Sequence, residues 1–443
     1  MCAAAIPNRD AFIPCRRHDL IDLCLQSGAL DADTGRQFKE FCALLSALYH
    51  FRFHHMSEKI KRAYAPFDPN VDVPASAPAE DLKEMRAVLS EKVRHLLEKA
   101  NYKELSQGSL RRSLETKSLI DLHTQVNFDD FSQVLCYYRG DDATSVTTGR
   151  WFWKREQEIK LFERVVLLIH FKDAAHFEKE KDNQAFRRFT PDKAYVYFYK
   201  NIPQHDIELL FPNVQTRMTW KDIGMLIVPA LAAGVSIVVK ILPQLLIVVG
   251  AIMLALGFPS ALDYFNLSEG EVYNITPVLI ATGSLCVALG GFAYKQYSSY
   301  KTKKLTFQKN VTDTLFFRNL ANNAAVFQLL IDLAEEEECK EVILVYYHLL
   351  TSDTALTTEA LDHRIEVWMQ KHLGADVNFD VADAVQKLTA LRTPDASSKS
   401  YSAEDKATAL LHYDAQNRCH VLPLDKALAV LDQLWDNAFR YAL

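Results

Sequence analysis

The sequence predicts an α+β membrane protein built from three parts. The N-terminal part is a cytosolic domain of helices and a β-sheet, the middle is a transmembrane helical hairpin, and the C-terminal part is a helical, winged-helix-like domain. Three observations predict this architecture: helical spacing of apolar residues towards both ends, strand-like segments between residues 128 and 202, and an apolar block at 223–294. The corresponding domains are 1–222, 223–294 and 295–443.

The composition indicates a folded chain that does not bind nucleic acid. Of the 443 residues 49% are apolar and 24% are charged, and the formal net charge is −6. Because nucleic-acid phosphates attract basic surfaces, no nucleic-acid partner is expected. The eight cysteines are scattered and form no C-x-x-C pair, which favours reduced thiols over a zinc site or a disulfide framework.

The N-terminal part begins with helices and continues into strands. Residues 34–64 repeat apolar side chains at helical spacing. The apolar residues predicted to share one side of this helix are Phe38, Phe41, Leu45, Leu48 and Phe51. Residues 79–100 alternate acidic and basic side chains and predict another helix. The segments VLCYYRG, EIKLFERVVLLIHFK and KAYVYFYKNIP are rich in β-branched and aromatic residues and therefore predict strands.

The C-terminal part has the element order of a winged helix. A strong helical pattern covers residues 311–351, a second helix follows the threonine cap at Thr357, and a third covers 379–391. Two short strands around a turn at 414–417 and a closing helix at 424–441 complete the order. Asp380 and Asp383 at the start of the third helix would face DNA phosphates unfavourably, so we expect this part to bind protein.

The apolar block predicts the membrane hairpin. Residues 275–294 form about 20 residues of apolar helix, enough to cross about 30 Å of hydrocarbon. Lys240 interrupts the earlier stretch, and a lysine at the bilayer centre costs about 2.5–3.5 kcal/mol. Either residues 223–239 form an interfacial or re-entrant helix before a span at 241–262, or they span alone and the block has three spans.

Charges around the block favour two spans. The acidic link 259–274 carries no base, whereas a basic run follows the block. This run contains Lys295, Lys301, Lys303, Lys304 and Lys309. The positive-inside rule then places both large domains in the cytoplasm. The N-terminus lacks secretory and transit features, so the sequence predicts a multi-pass protein of a bacterial inner membrane.

Several long segments carry a resemblance to a known family. FDDFSQVLCYYRG, YFYKNIPQHDIELLFP and FFRNLANNAAVFQLLIDLAEEEECKEVILVYYHL resemble the transmembrane-protein-143-like family, over about residues 10–391. The resemblance implies a membrane-anchored domain of unknown function that occurs in bacteria, plants and mitochondria. It supplies no established activity and no site residues.

The acidic run near the middle of the first C-terminal helix is the one candidate for a metal site. Glu335, Glu338 and Glu341 are three residues apart, so their carboxylates share a helix face and offer the oxygen ligands that hard cations prefer. A solvated helix face explains the same spacing and is the favoured interpretation. The sequence therefore predicts no metal, no cofactor and no catalytic residue.

Other residues indicate interaction surfaces. The basic run and Lys240 would meet anionic lipid, with about 1 kcal/mol of attraction for each lysine near the surface. Trp151 and Trp153 fit a membrane interface and a strand of buried aromatics equally well. Asn319, Asn322 and Asn323 are poor helix formers within a predicted helix, which favours packing between domains.

These observations favour a non-enzymatic scaffold or docking protein at the cytoplasmic face of the inner membrane. Its expected partners are anionic lipid headgroups and a protein, either a different chain or a second copy. One alternative is a subunit of an oligomeric channel or transporter, which the small residues of the spans would allow. The other is a membrane-bound, metal-dependent hydrolase that uses the acidic run.

Overall fold

The computed structural model describes residues 10–71, 78–106, 108, 110, 123–148, 155–178, 189–217, 247, 249, 252–257, 275–393 and 408–438. The chain divides into two compact units. The first takes in residues 1–113, 128–204 and 318–443, and the second takes in 114–127 and 205–317. The domain boundaries drawn from the sequence stay predictions.

Three helices begin the first unit: α1 (Arg17–Gln26), α2 (Ala32–Tyr64) and α3 (Ala79–Lys99). Asp31 caps α2, because its carboxylate accepts a hydrogen bond from the Thr34 amide at 2.8 Å. The apolar side that the sequence predicts for α2 is confirmed. Four of its five residues are buried and Phe51 is half-buried.

The sheet of the first unit has five antiparallel strands in the order β1-β3-β4-β5-β7. They are β1 (Lys103–Glu104), β3 (Phe131–Thr148), β4 (Arg155–Phe171), β5 (Ala194–Pro203) and β7 (Asn319–Asn322). A short helix, α4 (Ala174–Glu178), follows β4 in the chain. The strands predicted between residues 128 and 202 are therefore confirmed, and one face of the sheet joins the helices in a common core.

Gly140 allows β3 and β4 to approach closely. Its φ is +72°, a conformation that side chains with a Cβ rarely adopt. A Cβ at this position would lie 2.5 Å from the Cβ of Glu163 on β4. Only glycine fits here without moving one of the strands.

Helix α6 (Ala324–Leu350) is the central helix of the first unit. Apolar side chains surround it along most of its length, as expected for a helix that packs against neighbours on several sides. It contacts α2 and α3 as well as the C-terminal helices. The acidic run therefore lies inside the unit.

The C-terminal elements follow the predicted order. Helix α7 (Thr358–Leu373) is capped by Thr357, and α8 (Val381–Ala390) is capped by Asp380. The hairpin of β8 (Leu411–Tyr413) and β9 (Cys419–Val421) precedes the closing helix α9 (Leu424–Asp436).

The second unit contains the two-stranded pairing of β2 (His123–Gln125) with β6 (Gln215–Arg217) and nearly all of helix α5 (Ile275–Arg318). Within the described part of the chain, no helix combines the length and the apolar character needed to cross a membrane. The predicted α+β membrane fold is therefore wrong in its transmembrane hairpin; the fold is α+β with a five-stranded antiparallel sheet. The predicted multi-pass location in a bacterial inner membrane is wrong with it.

The described structure places the predicted span at the start of a longer helix, α5. Residues 275–294 are the first part of a 44-residue helix that continues without a break into the basic run. At about 1.5 Å per residue this helix is about 66 Å long, about twice the thickness of a bilayer core. The other predicted segments, residues 223–239, Lys240 and most of 241–262, lie outside the described residues.

Candidate functional site

The acidic run of α6 is buried. Glu335, Glu338 and Glu341 are 8%, 3% and 5% exposed, so the favoured interpretation of a solvated helix face is wrong. Buried carboxylates need charged or hydrogen-bonding partners, since isolated ions are very costly to remove from water. Each of these carboxylates has such partners on other elements.

The first partners come from the N-terminal helices. The Arg17 guanidinium lies 3.4 Å from Glu335, and Nδ1 of His50 lies 2.9 Å from the other oxygen of this carboxylate. The neighbouring Glu336 accepts a hydrogen bond from the Arg17 amide at 2.9 Å. These contacts fix the start of α1 and the middle of α2 against α6.

A second pair holds the segment before α1. Lys340 Nζ lies 2.5 Å from the Glu337 carboxylate, and both side chains are almost completely buried. The same ammonium donates to the carbonyls of Ile13 and Cys15 at 2.7 and 2.9 Å, while Glu337 accepts from the Ile13 amide. Burial raises the pKa of Glu337, and Lys340 opposes that shift.

The third group has the geometry of a metal site. Carboxylate oxygens of Glu338, Glu341 and Asp383 all lie within 4.8 Å of one another. The ammonium of Lys387, one turn after Asp383 on α8, contacts all three: Nζ is 2.9 Å from Glu338, 2.5 Å from Glu341 and 2.6 Å from Asp383. Its nitrogen takes the position that a cation would need.

Burial and the neighbouring charges together set the pKa values of Lys387 and Glu341 in this group. Burial lowers the pKa of Lys387, but the carboxylates of Glu341 and Glu338 outweigh it, and the pKa lies above its ordinary range. Lys99 donates to Glu338 at 2.8 Å and supplies a second positive charge. Three carboxylates thus face two ammoniums. Burial raises the pKa of Glu341 to about 7, although Lys387 and the Asn101 amide favour its charged form.

The three asparagines of the sequence RNLANN lie at the edge of the sheet. Asn319 and Asn322 belong to β7, where the sequence predicts a helix, and their side chains are joined by a 2.7 Å hydrogen bond. Asn323 is buried, with a φ of +53°, and exchanges hydrogen bonds with the backbone of Val196 on β5. These residues turn the chain from the sheet into α6, and their role as an interaction surface stays a prediction.

Helix α5 presents a row of exposed apolar and basic side chains. Its described exposed apolar residues include Ile280, Val287, Tyr294, Leu305 and Phe316, each between 56% and 77% exposed. Lys295, Lys301 and Lys309 are also exposed. Lys303 and Lys304 lie on the same helix, but their side chains are outside the described set, as are Trp151 and Trp153 altogether.

The sequence does not reveal the partners of the acidic run. Lys99, Asn101 and Lys387 are far from it in the chain and come together only through packing of α3 and α8 on α6. The one local signal is the four-residue spacing of Asp383 and Lys387, which is typical of a helical ion pair.

Part of the chain matches a known family. Residues 162–325 match the model of a protein of unknown function, DUF3754. The DUF3754 segment covers most of β4, all of β5 and the whole of α5, and ends before the acidic run. No solved structure matches the chain. The predicted resemblance to a family of unknown function is thus confirmed at the level of DUF3754, and nothing in the match points to transmembrane protein 143 specifically.

Proposed function

We propose that this chain is a non-enzymatic docking protein that binds an acidic, amphipathic helix of a partner protein along α5. The observation that carries the proposal is the exposed row of α5. Its members Ile280, Val287, Tyr294 and Lys301 are seven residues apart, and Leu305, Lys309 and Phe316 continue the row. We call these seven residues the α5 stripe.

The stripe is narrow and long. At 3.6 residues per turn its seven positions fall within an arc of about 80°, and it extends about 54 Å along the axis. Such a seam of residues seven apart is the pattern with which one helix packs lengthwise against another. Large exposed apolar side chains grouped along one face are typical of surfaces that bind a partner.

Charge defines the partner. Lys301 and Lys309 interrupt the apolar members of the stripe, so a partner helix with carboxylates flanking its apolar positions is complementary. A second copy of α5 in parallel would bring its own lysines against them, which disfavours self-pairing. Tyr297 and Phe317 are exposed as well and lie about 80° and 120° from the centre of the stripe.

The acidic run supports a non-enzymatic role. The carboxylates that the sequence offers as metal ligands are bound to Lys387 and Lys99, and their neighbours hold the N-terminal segment in place. This use of the charges is structural and disfavours the hydrolase alternative. The channel alternative depends on membrane spans and is withdrawn with them. A closer relationship to the transmembrane-protein-143-like proteins is proposed on the segments quoted above.

Binding of a designed peptide tests the proposal. The probe is a fluorescent helical peptide with leucines at heptad core positions and glutamates beside them, and a peptide with lysines in place of the glutamates is its control. We expect saturable binding of the acidic peptide, weakened by salt, and at least about tenfold weaker binding by Val287→Glu, a loss of about 1.4 kcal/mol.

The matched control is Ser299→Glu, which adds the same charge at an exposed position of α5 about 120° away from the centre of the stripe. The affinity of Ser299→Glu for the acidic peptide should stay within about threefold of that of the unsubstituted chain. Equal affinity for acidic and basic peptides, or equal loss in both variants, would refute the proposal. So would binding to vesicles of anionic lipid, the partner predicted from the basic run, with none to the peptide.

A further inference from the structure

A row of basic side chains crosses the sheet of the first unit. Arg139 on β3 is directly opposite Arg164 on β4, and Arg164 is directly opposite Lys200 on β5. Directly paired residues of antiparallel strands project from the same face, with Cβ atoms about 5 Å apart. The two preceding rows on this face are apolar except for one tyrosine hydroxyl: Leu135–Leu168–Val196 and Tyr137–Val166–Phe198.

Like charges in directly opposite positions are destabilising. An arrangement of three adjacent bases therefore calls for compensating negative charge. Arg164 donates to the carbonyl of its neighbour Glu163, whose own side chain packs against Gly140 of β3. Arg164 and Lys200 are half-buried, and neither has a carboxylate partner among the described residues.

Arg139 is the buried end of the row. It is 5% exposed, and its guanidinium lies 3.6 Å from the ring centre of Phe12 and 4.9 Å from that of Tyr102. The rings fix the guanidinium through stacking and cation–π contact, but they accept no conventional hydrogen bond. Within the described chain, Nε and Nη1 of Arg139 are buried without an acceptor, and so is the Tyr102 hydroxyl.

Two nearby carboxylates, those of Glu337 and Asp10, are committed to other partners. Glu337 lies close enough for Arg139 to lower its pKa slightly, yet it is bonded to Lys340 and to the Ile13 amide. Asp10 binds Lys103 at 2.6 Å and the Gly140 amide at 2.9 Å. Asp141 in the next row of β3 has a buried carboxylate oxygen without a partner among the described residues, yet Nε and Nη1 of Arg139 receive no acceptor from any of these three carboxylates.

The Tyr102 side chain lies beside the buried end of the row. The Arg139 guanidinium lies 4.9 Å from the centre of the Tyr102 ring, and Arg164 is directly opposite Arg139. Burial raises the pKa of Tyr102; the charges of Arg139 and Arg164 oppose that shift, whereas those of Glu163 and Glu337 add to it. A buried hydroxyl and buried N–H donors thus lie at one end of a row that continues with two half-buried bases. This is the donor set that binds a small oxyanion.

We propose that Arg139, Tyr102, Arg164 and Lys200 form a binding site for a small tetrahedral oxyanion of the phosphate class. The site uses donors that otherwise remain unpaired, and it neutralises the row across β3, β4 and β5. Because Arg139 is buried and the other bases are half-buried, the site takes free inorganic phosphate in preference to the phosphoryl group of a bulky ester.

Calorimetry and thermal unfolding of the full chain test the site, with phosphate replacing chloride at constant ionic strength. We expect saturable binding of phosphate with a rise in Tm, and at least about tenfold weaker binding by Arg139→Gln and Lys200→Gln. Glycerol phosphate in place of inorganic phosphate distinguishes the ester from the free anion, and should bind more weakly. Arg94→Gln, which removes an exposed base paired with Glu104, is the matched control and should bind as the unsubstituted chain does.

Arg139→Gln removes a buried contact and can impair folding. If Arg139→Gln is unstable, the phosphate affinity of Lys200→Gln tests the site instead. No Tm rise and no heat with phosphate would overturn the proposal. Unchanged affinity in a folded Lys200→Gln and in Arg164→Gln would also overturn it. Tighter binding of glycerol phosphate would overturn the assignment to the free anion.

Discussion

The ammonium nitrogen of Lys387 on α8 lies 2.5 Å from a carboxylate oxygen of Glu341 on α6. Glu338 and Asp383 share the same ammonium. This group joins the central helix to the C-terminal elements and, through Lys99, to α3. Three predictions follow from its charges and a fourth from the sheet.

Glu341 should make stability depend on pH. Its pKa is about 7 in the folded protein against an ordinary value of 4.5, so between these values the folded state binds more protons than the unfolded state. The free energy of unfolding therefore falls as the pH rises from 4.5 to 7, by about 3 kcal/mol from this group at most. In Glu341→Gln this contribution to the pH dependence of the free energy of unfolding should be absent.

Urea unfolding of both chains at pH 5 and pH 8 measures the effect. The unsubstituted chain should lose more stability between the two pH values than Glu341→Gln does. An identical loss in both would show that Glu341 titrates in the ordinary range.

Lys387→Met should destabilise the first unit strongly. It leaves Glu338 and Glu341 buried with too little positive charge, and breaking such a group costs about 3–5 kcal/mol. Lys92→Met is the control, because Lys92 pairs with Glu91 at the surface and is worth less than about 1 kcal/mol. Chemical unfolding at pH 7 compares the two, and similar midpoints would contradict the ion-pair account.

Removal of Lys387 should also open the carboxylates to a divalent cation. In Lys387→Ala the oxygens of Glu338, Glu341 and Asp383 retain their spacing and lack their ammonium. Millimolar Mn²⁺ should then raise the Tm of the variant and leave that of the unsubstituted chain unchanged. A Tm rise of equal size in both chains would mean that the lysine does not exclude the metal.

Gly140→Ala should destabilise the sheet by more than about 2 kcal/mol, because it adds a clash with Glu163 to the cost of a positive φ. Gly374→Ala is the matched control. Gly374 also has a positive φ, +65°, but a Cβ at this position would have no other atom within 4 Å. That control should cost only about 1 kcal/mol. Equal losses in urea unfolding would show that the approach of β3 to β4 is not tight.

The sequence predicts elements better than it predicts their surroundings. The strands β3, β4 and β5 follow from their β-branched and aromatic residues, and the apolar side of α2 follows from its periodicity. Asn319 and Asn322 form a strand where a helix is predicted, because pairing with β5 overrides the local pattern.

The acidic run shows why the rest was not predictable. Three carboxylates at helical spacing look solvated because charged residues are mostly exposed, and nothing local identifies Lys99 or Lys387 as their partners. The helix that contains the predicted span 275–294 is also longer than the sequence indicates. Apolar composition over 20 residues does not reveal that the helix continues through the basic run to Arg318.

Site-specific photo-crosslinking of α5 tests docking along the α5 stripe most directly. Benzoylphenylalanine is incorporated in place of Val287 in one chain and in place of Ser299 in another, and each is irradiated with the acidic helical peptide. We expect a crosslinked product from position 287 and little from position 299. Unlabelled peptide should compete with formation of this product, and salt should reduce its yield. Equal crosslinking from both positions, or crosslinking from position 299 alone, would contradict docking along the α5 stripe.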